Sequence, residues 1–188
     1  MLADYVLMTE NEKRTWLSRP YEHTFEQWQT QVSVDLKGNC TFAKVPLPFA
    51  NCVKEIIWVL REEESAANND WFNYARRDGQ LGEELMRNAR ITFDGRERFP
   101  NMPESYYRLV NAQAFHTTAG DRNIYIVSFA DKPELRQNTG TANMSRVDDV
   151  QLQIDLIPNN PPATLIALAK SYNTLTIADG VASLKYAL

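Results

Sequence analysis

Between Asp149 and Leu156 the chain alternates strictly. Val150, Leu152, Ile154 and Leu156 are apolar, and Asp149, Gln151, Gln153 and Asp155 between them are polar. Successive side chains of a β-strand point to opposite faces, so this order builds a strand with one buried and one wet face. It does not build an amphipathic helix, whose apolar residues recur every three or four. The same signal runs from Glu26 to Leu36: Trp28, Val32, Val34 and Leu36 fall on one face, Gln27, Gln29, Gln31, Ser33 and Asp35 on the other. Trp28 and Ile154 are therefore expected in the core.

Other segments extend this β pattern. Residues 53–60, VKEIIWVL, are apolar on both faces from Ile56 onward, as in a central strand or one covered by a partner. Residues 124–129 are also apolar on both faces, and 42–49, broken by Pro46 and Pro48, suit a short or edge strand. Strands are further expected at 89–93, 163–169 and 175–177, and at the alternating Leu184, Tyr186 and Leu188. Asp94-Gly95, Asp179-Gly180 and residues 159–162 punctuate them as turns. Residues 106–115 read equally as strand or helix. About eight strands separated by turn signals predict an all-β, antiparallel, eight-stranded jelly-roll sandwich. The Cys…Trp…Cys spacing of an immunoglobulin domain is absent.

Helix is expected only at 10–18 and in parts of 61–88. Thr9 and Glu12 form a capping box before the first of these, which stops ahead of Pro20. Residues 61–88 are charged, lack the period of two and carry a candidate helical turn at 83–87, which marks a surface insertion. Trp71, Phe72 and Tyr74 are expected to pin that insertion to the domain or to a neighbour. Residues 2–8, LADYVLM, read as a short strand.

Chemistry-bearing groups are few. The chain has 188 residues, a net charge of −4 and two histidines, His23 and His116, neither with a base or nucleophile partner in sequence. Cys40 and Cys52 form no metal-binding pattern; two buried thiols are expected, a disulfide being the alternative. Glu62-Glu63-Glu64 and Asp148-Asp149 read as a solvated loop and a strand entrance. No nucleophile elbow, HExxH, phosphate loop or dinucleotide fingerprint occurs. No catalytic, cofactor-binding or metal-ligating residue is therefore assigned, no cofactor is expected, and no hydrolase, transferase or metal-dependent activity is predicted. The basic residues are scattered, with one Arg-Arg pair at Arg76-Arg77, which disfavours direct nucleic-acid binding. No run of 18 apolar residues exists, and the first residues lack the order of a signal peptide. The sequons at Asn39 and Asn143 are accordingly expected to be unmodified.

The order of several segments resembles the major capsid proteins of large nucleocytoplasmic DNA viruses, of the iridovirus, phycodnavirus and asfarvirus type. LADYVLMTENEKRTWLSRPYEHTFEQWQ resembles the connector that leads from a first jelly roll into a second. CVKEIIWVLRE resembles the family's Lys/Arg-Glu pair before an apolar strand, and ITFDGRERF its strand–turn–Arg segment. YIVSFADKPELRQNTGTANMSRVDDVQLQIDL and SYNTLTIADGVASLKYAL resemble its C-terminal end, with Asn173, Gly180 and Tyr186 in register. Asn138-Thr139-Gly140 stands where Pro-Ser-Gly is usual, and Ala182-Ser183 replaces a small Gly pair.

The resemblance implies a structural viral protein. Residues 1–20 would be a strand and connector helix from a preceding jelly roll. Residues 21–188 would be the C-terminal jelly roll of a double one, with the insertion at about 61–88. Since family members run to several hundred residues, the chain is expected to be a C-terminal segment, a split gene product or a reduced relative. The implied partners are two further copies in a homotrimeric, pseudo-hexagonal capsomer, neighbouring capsomers, minor capsid proteins, the preceding jelly-roll domain and an inner membrane beneath an icosahedral shell. The implied location is the virion, assembled in the host cytoplasm. Two other readings compete: a carbohydrate-binding jelly-roll module using Trp71, Phe72 and Tyr74, and a cupin-type enzyme, which two distant histidines do not support.

Overall fold

The alternating segment becomes β9 (Val150–Leu156), an inner strand of a four-stranded antiparallel sheet. In the computed structural model, which describes residues 4–30, 33–75, 84–118 and 122–186 without the Thr30 side chain, β9 lies between two partners. One is β3 (Phe42–Pro46), whose proline ends a strand at the sheet edge. The other is β5 (Met86–Phe93), which hairpins into the opposite edge strand β6 (Arg96–Pro103). Asp94 and Gly95 make that hairpin with φ of 49° and 76°, the left-handed pair of a two-residue turn matched to strand twist.

The second sheet is built on β10 (Ala163–Ala178), sixteen residues long. On one side of it run β1 (Tyr21–Thr30) and β2 (Val34–Leu36). On the other run β4 (Cys52–Glu62) and β11 (Val181–Leu184). β7 (Ile124–Ser128) and the short β8 (Ala142–Asn143) pair with β4 beyond it. Asp179 and Gly180, at φ 51° and 78°, form a second left-handed turn joining β10 to β11.

The two inner faces share one core. Trp58, Tyr107 and Tyr125 are essentially fully buried, with Trp58 5.2 Å from the Tyr107 ring and 5.8 Å from the Tyr125 ring. Ile154, fully buried, stands opposite Ala43 on β3 and Ala89 on β5. The Tyr107 hydroxyl donates to the carbonyls of Ala89 (3.0 Å) and Pro100 (3.1 Å), so its polar end is satisfied inside the apolar layer.

Several expectations are corrected. Eleven strand segments are present among the described residues rather than eight, and 163–169 and 175–177 belong to one strand. Helix is not confined to 10–18 and 61–88: a π-helical turn (Tyr106–Val110) runs into α3 (Asn111–Phe115) and carries Tyr107 into the core. Among the described residues of the insertion, helix is found at α2 (Glu63–Ala67); Met86 and Arg87 already belong to β5, and Glu83 lies outside the described residues. Residues 4–8 are not a strand; they precede α1 (Glu10–Leu17) without regular structure, and residues 2–3 are outside the described set.

Trp28 is the clearest reversal. It is 53 % exposed, while its neighbour Gln29 is buried. The Gln29 amide nitrogen donates to Ala50 O and to Ser171 Oγ, both at 2.7 Å, and its oxygen accepts from Ala50 N at 2.9 Å. A buried amide satisfied at both ends fits inside, and period two then forces Trp28 outward. Inward residues are odd-numbered in β1 (Gln29) and even-numbered in β2 (Leu36), so 26–36 is not one uninterrupted strand; Gln31 and Val32 lie outside the described residues.

Candidate functional site

The Lys54-Glu55 pair sits at a β-bulge. Lys170 on β10 pairs with Glu55 and the next residue, Ser171, pairs with Val53, so Lys54 is the extra residue on β4. A bulge of this kind re-aims side chains. Here it turns Lys54 away from the core, onto the outer face of the sheet beside Glu26, Lys170 and Tyr172.

The Lys54 side chain is 0 % exposed and forms an ion pair with Glu26 Oε1; its Nζ donates to Leu135 O at 2.6 Å and lies 5.0 Å from the Tyr172 ring centre. Lys170 Nζ reaches Glu26 Oε2 at 3.1 Å and donates to Pro133 O at 3.1 Å. Tyr172 OH donates to Arg136 O at 3.0 Å. Burial pushes Glu26 up, but hydrogen bonds from Lys54 and Lys170 outweigh it and hold the carboxyl below its ordinary range. Burial likewise pulls Lys54 down, and its bond to Glu26 more than restores the charged form. The cluster fastens the backbone of residues 133–136 over the sheet. At the far end of that loop Gly140 has φ 141°, and a Cβ there would lie 2.7 Å from Phe129 O, so only glycine fits.

His116 closes the same loop from the other side. Its Nε2 lies 3.0 Å from Glu55 Oε2 and its Nδ1 3.4 Å from Glu134 Oε1. The Glu55 carboxylate raises the imidazole above its ordinary value despite burial, and Glu134 adds to this. Glu134 also accepts from Thr117 N at 3.0 Å, which lowers its own pKa. The carboxylates approach opposite ring nitrogens, so the three groups do not converge on a metal-sized point; no such group occurs among the described residues. Sequence reasoning left His116 without a partner because Glu55 and Glu134 are remote in the chain. The consecutive Lys54-Glu55 pair in a strand was the available signal.

Beside this cluster the outer face becomes aliphatic. Leu168, Ile57 and Ile126 stand in one cross-strand row, and Ile166, Val59 and Ile124 in the next; all six are half-buried. This is the second apolar face read in 53–60 and 124–129. A contiguous aliphatic patch rimmed by Arg61, Glu55 and Lys170 has the composition of a packing surface.

The other candidate groups do not come together. Glu62 ends β4 and is buried, while Glu63 and Glu64 open α2. Cys40 and Cys52 are free thiols and only half-buried, which corrects the expectation of two buried ones. His23 is exposed, as are Asn39 and Asn143. Arg76 and Arg77 lie outside the described residues. Trp71 and Phe72 are 48 % and 68 % exposed; Arg61 covers one face of Trp71 at 4.9 Å. That segment is pinned through its backbone, with Arg122 Nη1 donating to Phe72 O (2.6 Å) and Asn123 Nδ2 to Tyr74 O (3.3 Å). At the N-terminus Tyr5, Val6 and Leu7 are 89 %, 83 % and 96 % exposed.

Comparisons with known proteins agree on one family. The model of the large eukaryotic DNA virus major capsid protein matches residues 12–183. Probable capsid protein 4 of Acanthamoeba polyphaga mimivirus is 25 % identical over 99 % of this chain and 38 % of its own length. The major capsid protein of Pyramimonas orientalis virus is 27 % identical over 99 % of this chain and 48 % of its own. The chain thus spans about half, or less, of the length of these relatives. In fold it is similar to the PBCV-1 VP54 crystal structure, with a TM-score of 0.77, 21 % identity and coverage of 98 % of this chain and 56 % of that one. The Faustovirus major capsid protein gives 0.66 at 16 % identity, covering 88 % and 36 %. The two antiparallel sheets are therefore those of a jelly-roll capsid protein, and the chain belongs to the large eukaryotic DNA virus major capsid protein family.

Proposed function

We propose that this jelly roll is one half of a double-jelly-roll capsid subunit, that three subunits form a pseudo-hexagonal capsomer, and that capsomers tile an icosahedral shell with minor capsid proteins above an inner membrane. Residues 1–20 would be the link to the preceding jelly roll, and 21–188 the C-terminal one with its insertion at about 61–88. The observation that carries this reading is the apolar N-terminal arm. Tyr5, Val6 and Leu7 are almost wholly exposed, and α1 behind them buries no residue. Such an arm is stabilised only by a sheet or surface outside the described fold. The two aliphatic rows on the outer face of β10, β4 and β7 supply a second contact, toward a neighbouring jelly roll.

The role is structural rather than catalytic, and its energy is that of repeated interfaces, where small gains per subunit multiply over a closed symmetric assembly. A net charge of −4 supports a wall that does not grip nucleic acid directly. The site of action would be the virion, after assembly in the host cytoplasm. Sedimentation combined with amide exchange tests the proposal. Residues 4–8 should exchange fast in the isolated chain. They should become protected, with sedimentation as a trimer, when a preceding jelly roll is supplied. A monomer in which 4–8 are already strongly protected would refute both the double jelly roll and the trimer.

A further inference from the structure

β4 and β11 lie in line along the same side of β10: Cys52 pairs with Tyr172, and Leu184 with Leu175. The seam between them, at Asn173 and Thr174, borders a cleft of about 1000 Å³. Asn51 and Tyr172 line it as buried residues, 7 % and 9 % exposed. Arg136, Asn138, Asn143 and Tyr186 line it as exposed ones, and Phe25 adds a third aromatic ring.

At the seam itself the backbone is already paired. Lys185 N donates to Thr174 O (2.8 Å), Asn51 N to Ser145 Oγ (2.8 Å), Met144 N to Asn51 O (2.9 Å) and Thr174 N to Asn173 Oδ1 (2.7 Å). An added peptide strand would find no open ladder there. The side chains are different. The Asn51 Nδ2 is buried without a hydrogen-bond partner, and a buried amide in that state calls for one. Asn138 uses its oxygen on Gly140 N, and among the described residues its NH2 has no partner. Among the described residues the Arg136 guanidinium and the Asn143 amide have no partner. Glu26 also lines the cleft, but its carboxylate is held by Lys54 and Lys170. Among the described residues the lining therefore offers a guanidinium without a partner, several amides and the rings of Phe25, Tyr172 and Tyr186.

We infer that this cleft binds a carboxylate-bearing sugar residue. Arg136 takes the carboxylate, the exposed Asn138 and Asn143 amides take ring hydroxyls, and the Tyr172 and Tyr186 rings take the apolar face of the pyranose. The Arg136 backbone is fixed beside the cleft, because its carbonyl accepts from the Tyr172 hydroxyl. The cleft is separate from the Trp71–Tyr74 segment, and the inference does not depend on assembly into a shell.

The test titrates the full chain with glucuronate and with glucose, followed by amide chemical shifts. Glucuronate should bind saturably, with shifts at Asn51, Asn143 and Tyr186. Glucose should bind about tenfold more weakly, as should glucuronate to Arg136→Ala, the loss expected for one charge-assisted contact. Arg136→Lys should recover part of the affinity. Asn51→Asp, near-isosteric and tolerant of the φ of 63° at that position, should weaken binding by setting a second carboxylate against the first. Glucuronate binding that ignores Arg136→Ala, equal binding of glucose, no saturable binding, or tighter binding of a free dipeptide at the same residues would each overturn the inference.

Discussion

Replacing Ile154 by alanine should be among the most damaging single changes in the domain. Ile154 is fully buried in β9, and its cross-strand neighbours are Ala43 and Ala89. Neither alanine can extend into the space left behind. Removing three side-chain carbons forfeits about 2.4 kcal/mol of transfer free energy at ~0.8 kcal/mol per buried carbon. An unrelaxed void of roughly 70 Å³ adds about 1.7 kcal/mol at ~24 cal/mol per Å³. The expected loss is thus about 4 kcal/mol. With a slope near 2 kcal/mol per molar urea, the unfolding midpoint should fall by about 2 M. Trp28→Ala is the companion measurement. Trp28 is half-exposed above Lys170, 5.9 Å from the ammonium, and its removal should cost about 1 kcal/mol or less. A loss below about 0.5 kcal/mol for Ile154→Ala, or a larger loss for Trp28→Ala, would refute the assignment of inner and outer faces.

Four further outcomes are expected. Lys54→Ala should loosen residues 133–136 and destabilise the domain by about 2 kcal/mol, since Glu26 loses one of its two cations at a partly buried site, whereas Lys54→Met, which refills the space but not the charge, should recover only the packing part of that loss; urea midpoints compare them. His116 has a raised folded pKa, so its contribution is complete below the unfolded value near 6.5 and is lost as pH rises through the folded value. Amide protection of residues 132–136 should fall across that window and become flat in His116→Gln. Thr9→Ala should cost α1 about 1 kcal/mol without moving the global midpoint, because none of the helix's residues is buried; exchange at 10–17 reads the first and urea the second. Ile57→Asp should leave the monomer folded by circular dichroism yet abolish the proposed association with a neighbouring jelly roll in sedimentation.

Much of the architecture was legible where one period dominated. β9, the two Asp-Gly hairpins, the edge position of β3 and the capping box all follow from local rules, because local geometry alone decides them. Trp28 was misplaced for a physical reason: hydrophobicity ranks a tryptophan above a glutamine, but Gln29 has three hydrogen bonds waiting at Ala50 and Ser171, contacts remote in sequence. The π-turn at Tyr106–Val110 was unreadable for the same kind of reason, since Tyr107 enters the core to meet Trp58 and two carbonyls on other strands. The charge cluster was half-legible. Lys54-Glu55 was visible as a pair, but the bulge that places Lys54 beside Glu55 on the outer face is a property of its alignment with Lys170 and Ser171. The second aliphatic face was readable as apolarity on both sides of 53–60 and 124–129.

The length of β10 also sets an order in time. Tyr21 pairs with Ile177 and Leu36 with Ala163, so the first strands of the larger sheet wait for the last to be synthesised. At about 5–20 residues per second, β1 would spend many seconds on the ribosome as an unpaired edge beside an apolar arm. Contacts of such long range fold slowly, and the half-made sheet is the species most exposed to wrong partners. A chain released before Ala163 would lose the strand that joins β1 and β2 to β4, and newly made chains should depend on a chaperone during that interval, an effect readable as aggregation of stalled chains ending before β10 and its absence in those ending after β11.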